Sequence, residues 1–366
     1  MKMIKTREIL TCACIFLFVL STFPTLADQE KSYDKHRFSS DLHELQSHFE
    51  IPAMAVLVVD SKKDVFFQVS GFADRESKRL ADAETVFRIG SITKMFTAIA
   101  ILILQEKKLL NLDMKFRTLV PEIKIKNNWQ KTHPITLAHL LEHTSGLPGL
   151  TKKEMNYDRP LSIEDALALN ADNRSTQWPP GYHYSYSNLN AGLAEMVIER
   201  VSGSDYGQFL HEQLFMPLHM GSATINPDEK TIAQLATGYD SDGFSPLPYW
   251  HTLFRGFGAI NLRAADMGPF LRFLLNEGKH RGRPLLQKTS IKRMETAKTS
   301  LAAKTGQSYG YGLGNYQSMR NGWVFHGHGG DADGYLARIG YNRELGLAYF
   351  AVINTFKSKA LKKNPS

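Results

Sequence analysis

Cysteine is almost absent from this 366-residue chain: the only two, Cys12 and Cys14, fall within residues 1–27. That opening stretch carries Lys2, Lys5 and Arg7, then a mostly apolar run over 9–23, then the small residues of Thr25-Leu26-Ala27. This is the layout of a secretory signal cleaved before Asp28. Its apolar run is shorter than the ~20 residues a spanning helix needs. Neither cysteine stands at the cleavage point, where a lipid-anchor cysteine would sit. The mature chain is therefore expected to be secreted or periplasmic, with no stable membrane span after cleavage and no cysteine. Disulfides, thiolate metal sites and cysteine nucleophiles are then excluded.

A strong charge bias is also missing. The formal net charge is +8, to which the first 27 residues contribute +2 and four lysines near the end (Lys357, Lys359, Lys362, Lys363) contribute +4. The body is close to neutral, so no nucleic-acid footprint is present, and the basic tail reads as a solvated terminus. There are no internal repeats and no low-complexity tracts. Metal-ligand patterns are weak. His139-Leu140-Leu141-Glu142-His143 spells H-x-x-E-H but leads directly into a Thr144-Ser145-Gly146 turn, and His43-Glu44 lacks its second histidine at helical spacing, since His48 falls one residue too far. No metal and no cofactor are expected.

What is present is strong patterning. Residues 41–49 have helical periodicity. Ala53-Met54-Ala55-Val56-Leu57-Val58-Val59 is apolar at every position, as in a central strand. A polar turn over 60–64 leads to a returning strand over 65–72. Helical patterns follow at 135–143, 162–170, 191–201 and 206–215. A strand is expected at 258–261, helices at 264–276 and 288–296, and strands at 309–316, 323–326, 334–341 and 345–354, the last two forming a hairpin. Strand-rich ends thus bracket a helical middle. The fold class is α/β (α+β): an antiparallel sheet flanked by helices, with an inserted all-helical lobe. Residues 28–90 and 255–366 would build the sheet-containing lobe and 91–254 the helical one, with the site in the cleft between them.

Three short motifs carry chemistry. The first is Ser91-Ile92-Thr93-Lys94, followed by an apolar run from Met95 to Leu104. A helix starting near Ser91 puts its hydroxyl at the positive end, with Lys94 one turn on along the same face. A serine hydroxyl needs an adjacent base, and a desolvated lysine can lose its proton near neutrality. Ser32-Tyr33-Asp34-Lys35 has the same spacing but no apolar helix to bury its lysine. The second motif is Tyr186-x-Asn188, behind the rigid turn Trp178-Pro179-Pro180-Gly181. Both side chains alternate toward one side; the competing reading is tyrosines that plug a lobe interface. The third is His326-Gly327-His328-Gly329-Gly330, where glycines leave backbone N–H groups free to form half of an oxyanion hole with the N–H of Ser91. An ordinary glycine turn is the alternative.

In this order, the three motifs resemble those of the class C β-lactamase and DD-peptidase family of serine hydrolases, which is penicillin-binding-protein-like. The similarity runs from about residue 40 to Asn354 and includes Ile135–Pro148, Glu199-Arg200-Val201-Ser202-Gly203 and Met216-Pro217-Leu218-His219-Met220-Gly221. The resemblance implies a β-lactamase/transpeptidase-like fold. It implies Ser91 as nucleophile, with Lys94 and Tyr186 sharing proton transfer. Asn188 would hold Lys94 and a substrate amide. His328, Gly330 and Asp331 would contact substrate, the N–H of Asp331 facing that of Ser91. Lys304-Thr305-Gly306 spells the third motif of many relatives but stands too early in the chain, and His326 competes with His328 in register.

Three departures narrow the expectation. Relatives that hydrolyse β-lactams usually place lysine where His328 stands, whereas DD-peptidases and esterases include members with histidine. Gly329 lacks the hydroxyl of the usual threonine. Only about a dozen residues follow Asn354, where the family has a long helix over the sheet, so the sheet is expected to be partly uncovered. The resemblance therefore implies an acyl-enzyme hydrolase of a small molecule or peptidoglycan-derived peptide: a D-amino-acid peptide (DD-carboxypeptidase-like), an ester or a β-lactam. The alternative is an inactive cell-wall-binding or regulatory protein on the same fold.

Overall fold

Strand β1, Ala53–Asp60, is buried on both faces as far as Val59, so it demands cover above and below. The computed structural model describes residues 34–356 except 152, 153 and 308; the signal-like segment, both cysteines and the lysine-rich tail lie outside the described residues. β1 is flanked by β2 (Asp64–Asp74), which leads to β3 (Arg79–Leu80). Its other neighbour is the last strand. β4 (Val86–Arg88) and helix α1 (Lys35–His48) precede helix α2 (Thr93–Glu106), and helix α3 spans Asn188–Ser202. Then come β5 (Asn261–Arg263), helix α4 (Met267–Leu275), β6 (Tyr316–Arg320), β7 (Trp323–Ala332), β8 (Tyr335–Asn342) and β9 (Leu347–Ile353). The main sheet has seven strands in the order β6-β7-β8-β9-β1-β2-β3, antiparallel throughout.

Register sorts the strands' side chains onto two faces. One inward row runs Leu57, Phe350, Ile339 and ends at His328. The apolar members of this face join α4 and α2 in the larger core. Helix α2 is buried from Thr93 to Leu104, which fits its nearly unbroken apolar sequence. It packs on α3. On the opposite face Met54, Val56, Val58, Tyr349, Ala351 and Ile353 meet Phe38 and Leu42 of α1. The expected bare face is therefore covered from the N-terminal side. α1 starts six residues earlier than its periodicity suggests because the Asp34 carboxylate accepts from the N–H groups of His36 and Arg37. No described helix is long and apolar enough to cross a membrane.

Other differences from the sequence reading have local causes. The segment 309–315 is not a strand. Gly314 has φ +60, and a Cβ there would lie 2.4 Å from the Lys94 carbonyl oxygen, so this loop lies against the first turn of α2. At 255–257 the chain forms a 3₁₀ turn, which delays β5 to Asn261. The helix beginning at Tyr206 is α-helical only to Leu210 and widens to a π-turn over His211–Phe215.

β7 ends against the turn that carries Ser91. A Cβ on Gly330 would lie 1.8 Å from the Ile89 carbonyl oxygen, a backbone atom that cannot swing aside. Gly330→Ala is expected to lower the thermal midpoint by more than about 5 °C, roughly the effect of losing a few kcal/mol in a chain this size. An unchanged midpoint would mean that β7 and the Ser91 turn are not locked together as described.

Candidate active site

β4 pairs with β5, Val86 opposite Arg263 and Arg88 opposite Asn261, and the Ile89 N–H continues the ladder to the Ile260 carbonyl at 3.1 Å. The chain then turns at Gly90, whose φ of +52 suits glycine. Gly90–Ile92 is a 3₁₀ turn, and α2 begins at Thr93. Ser91 thus stands just ahead of the helix rather than within its first α turn. A Cβ on Gly90 would lie 3.0 Å from the backbone nitrogen of Asp331, so that N–H stands next to the serine turn.

Lys94 is 3% exposed. Its Nζ lies 2.9 Å from Ser91 Oγ and donates to the Phe257 carbonyl at 3.0 Å. It also lies 4.9 Å from the Tyr186 ring centroid and 5.4 Å from that of Phe257. No carboxylate pairs with it among the described residues. Burial holds the amine well below the usual lysine range. In its neutral form the Nζ, with one N–H committed to Phe257, has a lone pair free to accept a proton.

The Phe257 carbonyl is aimed by its neighbours. Glu195 on α3 is fully buried; its carboxylate accepts from Arg255 Nε at 2.8 Å and from the Gly256 N–H at 2.8 Å. On the other side the Thr97 hydroxyl donates to the Gly256 carbonyl at 2.8 Å. Helices α2 and α3 therefore clamp the 3₁₀ turn between them.

Tyr186 completes the cluster. Burial of its phenol raises it above the ordinary phenol range, with the adjacent Ser91 hydroxyl acting in the opposite sense. It keeps its proton at neutral pH. Its ring leans on His143 at 4.3 Å between centroids. His143 is held by the Ser187 N–H, which donates to Nδ1 at 3.3 Å, and by the Asn190 amide 3.1 Å away. Burial, then Lys94 nearby, keep this imidazole neutral.

Other anticipated residues fall differently. Asn188 opens α3 but does not touch Lys94; its amide nitrogen donates to Met155 Sδ at 3.6 Å, and its Oδ1 is buried without a partner. The backbone carbonyl of Phe257 takes the lysine contact in its place. His328 is 3% exposed, at the end of the inward row. Its Nδ1 must donate to the Gly329 carbonyl, so Nε2 accepts from the Tyr311 hydroxyl at 2.7 Å. Burial, reinforced by Lys94, pushes His328 down to about 3. It is a neutral group capped by tyrosine, and it presents no cation. Gly330 is the close contact with Ile89 described above. The Asp331 carboxylate pairs with Arg338, whose guanidinium also lies across Gly329. His326 sits two residues down the strand, 5.7 Å from the Tyr341 ring.

The patterns set aside at the sequence level lie elsewhere. Lys304 ends a short helix, Leu301–Lys304, and reaches the Gly181 carbonyl at 3.5 Å. His139 caps its own helix through the Thr136 N–H, while Glu142 binds Arg293 and the N–H groups of Lys298 and Thr299. Among the described residues no group of three or more His, Cys, Asp or Glu is arranged to hold a metal.

A cavity of about 510 Å³ opens at Ser91, with Gly90, Asn188, Phe257, Gly258 and Asp331 in its wall. A second, of about 600 Å³, is lined by Tyr182, Tyr184, Tyr311 and Tyr316. Phe257, Tyr311, His143 and Glu195 escaped the sequence reading. Phe257 acts through its backbone, which leaves no sequence signal. Glu195 is a lone acid within the apolar face of α3, a pattern that does mark a buried charge.

Folding lowers the Lys94 amine well below the usual lysine range while the unfolded chain leaves it there, so stability rises with pH up to the ordinary lysine range. Lys94→Met removes that cost. Its thermal midpoint should exceed the wild type's at about pH 6–7, with the gap closing as pH approaches about 10. A gap independent of pH would show that the folded protein keeps this lysine protonated.

Three comparisons bear on the arrangement. The family profile described as Beta-lactamase matches residues 40–365. Protein flp of Staphylococcus aureus (strain MRSA252) is 30% identical over 239 residues, covering 64% of this chain and 47% of that protein; the chain spans about half the length of this relative. Penicillin-binding protein 4 of Amycolatopsis lactamdurans is 25% identical over 256 residues, 67% of this chain and 65% of that protein. Among solved structures, the octameric penicillin-binding protein homologue from Pyrococcus abyssi superposes with a TM-score of 0.76 at 25% identity, covering 88% of this chain and 74% of that one.

Proposed function

The chain belongs to the Beta-lactamase family, and within it we propose that it is a serine hydrolase working through an acyl-enzyme on a D-amino-acid peptide, in the manner of a DD-carboxypeptidase. The observation that carries this reading is the desolvated Lys94 amine, 2.9 Å from the Ser91 hydroxyl. Ser91 Oγ attacks the carbonyl carbon and gives its proton to Lys94 Nζ. The N–H groups of Ser91 and Asp331 stabilise the oxyanion. As the C–N bond breaks, Tyr186 protonates the leaving amine and recovers a proton from Lys94. Water then attacks the acyl-enzyme, its proton passing by the same route, and the carboxylic acid and free Ser91 are regenerated.

The neutral His328 imidazole under Tyr311 offers no charge to a substrate carboxylate, whether that of a β-lactam or that of a peptide. An ester substrate is the second reading, supported by the uncharged tyrosine wall of the larger cavity. The substrate would be a peptidoglycan-derived peptide or a small molecule met outside the cytoplasm, in keeping with the signal-like residues 1–27. An inactive wall-binding protein is the competing class.

Intact mass after exposure to a fluorophosphonate, and separately to a penicillin, separates these. A phosphonate adduct that vanishes in Ser91→Ala, with the fold retained by circular dichroism, is expected; no adduct on folded protein would favour the binding protein. Tyr186→Phe should lower kcat by about 10²–10⁴ if the phenol transfers protons. An unchanged kcat would leave that work to Lys94 alone.

A further inference from the structure

Among the described residues two arginines are almost wholly buried, Arg174 and Arg88. Arg174 pairs with Glu154, and the half-buried Arg255 and Arg293 pair with Glu195 and Glu142. Arg88 has no such anion. It closes β4 three residues before Ser91 and is 2% exposed. Its Nε is buried without a partner, and no described residue gives it a hydrogen bond or an ion pair. Its guanidinium carbon lies 4.7 Å from the Tyr249 ring centroid, and an aromatic face offsets only part of the desolvation of a cation.

Arg88 lines the 510 Å³ cavity that opens at Ser91. Two other side chains in that wall are also incomplete: Thr252 Oγ1 and Asn188 Oδ1 are buried with no partner. Thr252 is close to the nucleophile's turn, since a Cβ on Gly258 would stand 3.5 Å from Thr252 Cγ2 and 3.7 Å from the Gly90 carbonyl carbon. The wall thus offers a guanidinium, a hydroxyl donor and an amide acceptor, none of them used within the protein. Two acids share the cavity, but Asp331 is paired with Arg338, and Asp333 accepts from Asn156. His251 near Arg88 is held down by burial and by the guanidinium itself, so it adds no second cation.

A guanidinium matches a carboxylate in two parallel N–H···O bonds, and a hydroxyl can add a third. We propose that Arg88, with Thr252, forms the subsite that binds the substrate's free carboxylate; the assignment rests on the acyl-enzyme reading of the same cavity. The ligand class is an N-acyl amino acid or peptide with a free C-terminal carboxylate. The charge that His328 does not supply thus comes from the strand leading into the nucleophile.

The test uses Ser91→Ala protein, titrated by calorimetry with N-acetyl-D-alanyl-D-alanine and with its C-terminal amide. The free acid is expected to bind at least ~10-fold more tightly, and Arg88→Met in the same background should cut that preference below ~3-fold. Arg88→Lys should retain part of it, because charge survives and bidentate geometry does not. Should Arg88→Met fail to fold, Thr252→Val carries the test, with an expected loss of at least ~3-fold in preference. Equal binding of acid and amide, absence of binding by either, or a preference that survives both substitutions overturns the subsite. Fluorophosphonate labelling of wild-type Ser91 is read in parallel, so a failed subsite with intact labelling leaves the hydrolase assignment standing.

Discussion

One amine held out of water governs this structure. Lys94 sits on a helix buried along nearly its whole length, and among the described residues its hydrogen-bond partners are the Ser91 hydroxyl and the Phe257 carbonyl. A charged ammonium would need an anion there, and neither neighbour is one. The surroundings follow the same rule. His143 and His328 are kept neutral, and the Tyr186 and Tyr311 phenols keep their protons. The cluster is polar but almost uncharged, which suits the proton transfers proposed for it.

That neutrality is held in place by charge at a distance. The Glu195–Arg255 pair lies one layer behind Phe257 and, with Gly256, fixes the turn through its backbone. Thr97 and Tyr206 close the same network from α2 and the helix after α3, their hydroxyls 2.8 Å apart. Full charges sit where they restrain the backbone, and neutral groups sit where protons move. Arg88 departs from this division, because its charge lies in the cavity wall without an internal partner.

Much of this could be read from the chain. The all-apolar run 53–59 marked the central strand, and the S-x-x-K followed by an apolar helix marked the serine and lysine that meet in the cavity wall. Ser91, Lys94 and Tyr186 do meet. What failed was whatever depends on backbone or on packing partners. Asn188 has the right spacing from Tyr186, yet a main-chain carbonyl from residue 257 takes the lysine contact assigned to it. His328 has the right register, yet Tyr311, from a glycine-rich loop that alternates like a strand, covers it. Arg88 was visible as the single charge in Phe87-Arg88-Ile89-Gly90, but only burial shows that it has no partner. Helix ends shifted where a side chain capped them, as Asp34 does for α1.

The sheet's order has a consequence for how the protein comes into being. β1 pairs with β9, Met54 opposite Ile353, across nearly the whole length of the chain. β7, which brings Gly330 and Asp331 to the serine turn, joins β1 only through β8 and β9. A chain emerging from its N-terminus therefore holds β1 with an open, strongly apolar edge until the last strand is available. Such an edge is adhesive, and closing a loop of this length is slow. The Ser91 turn and Asp331 come from distant parts of the polypeptide, so no fragment released before residue 331 can bring them together. The proposed site would then form all at once, when β9 joins the sheet.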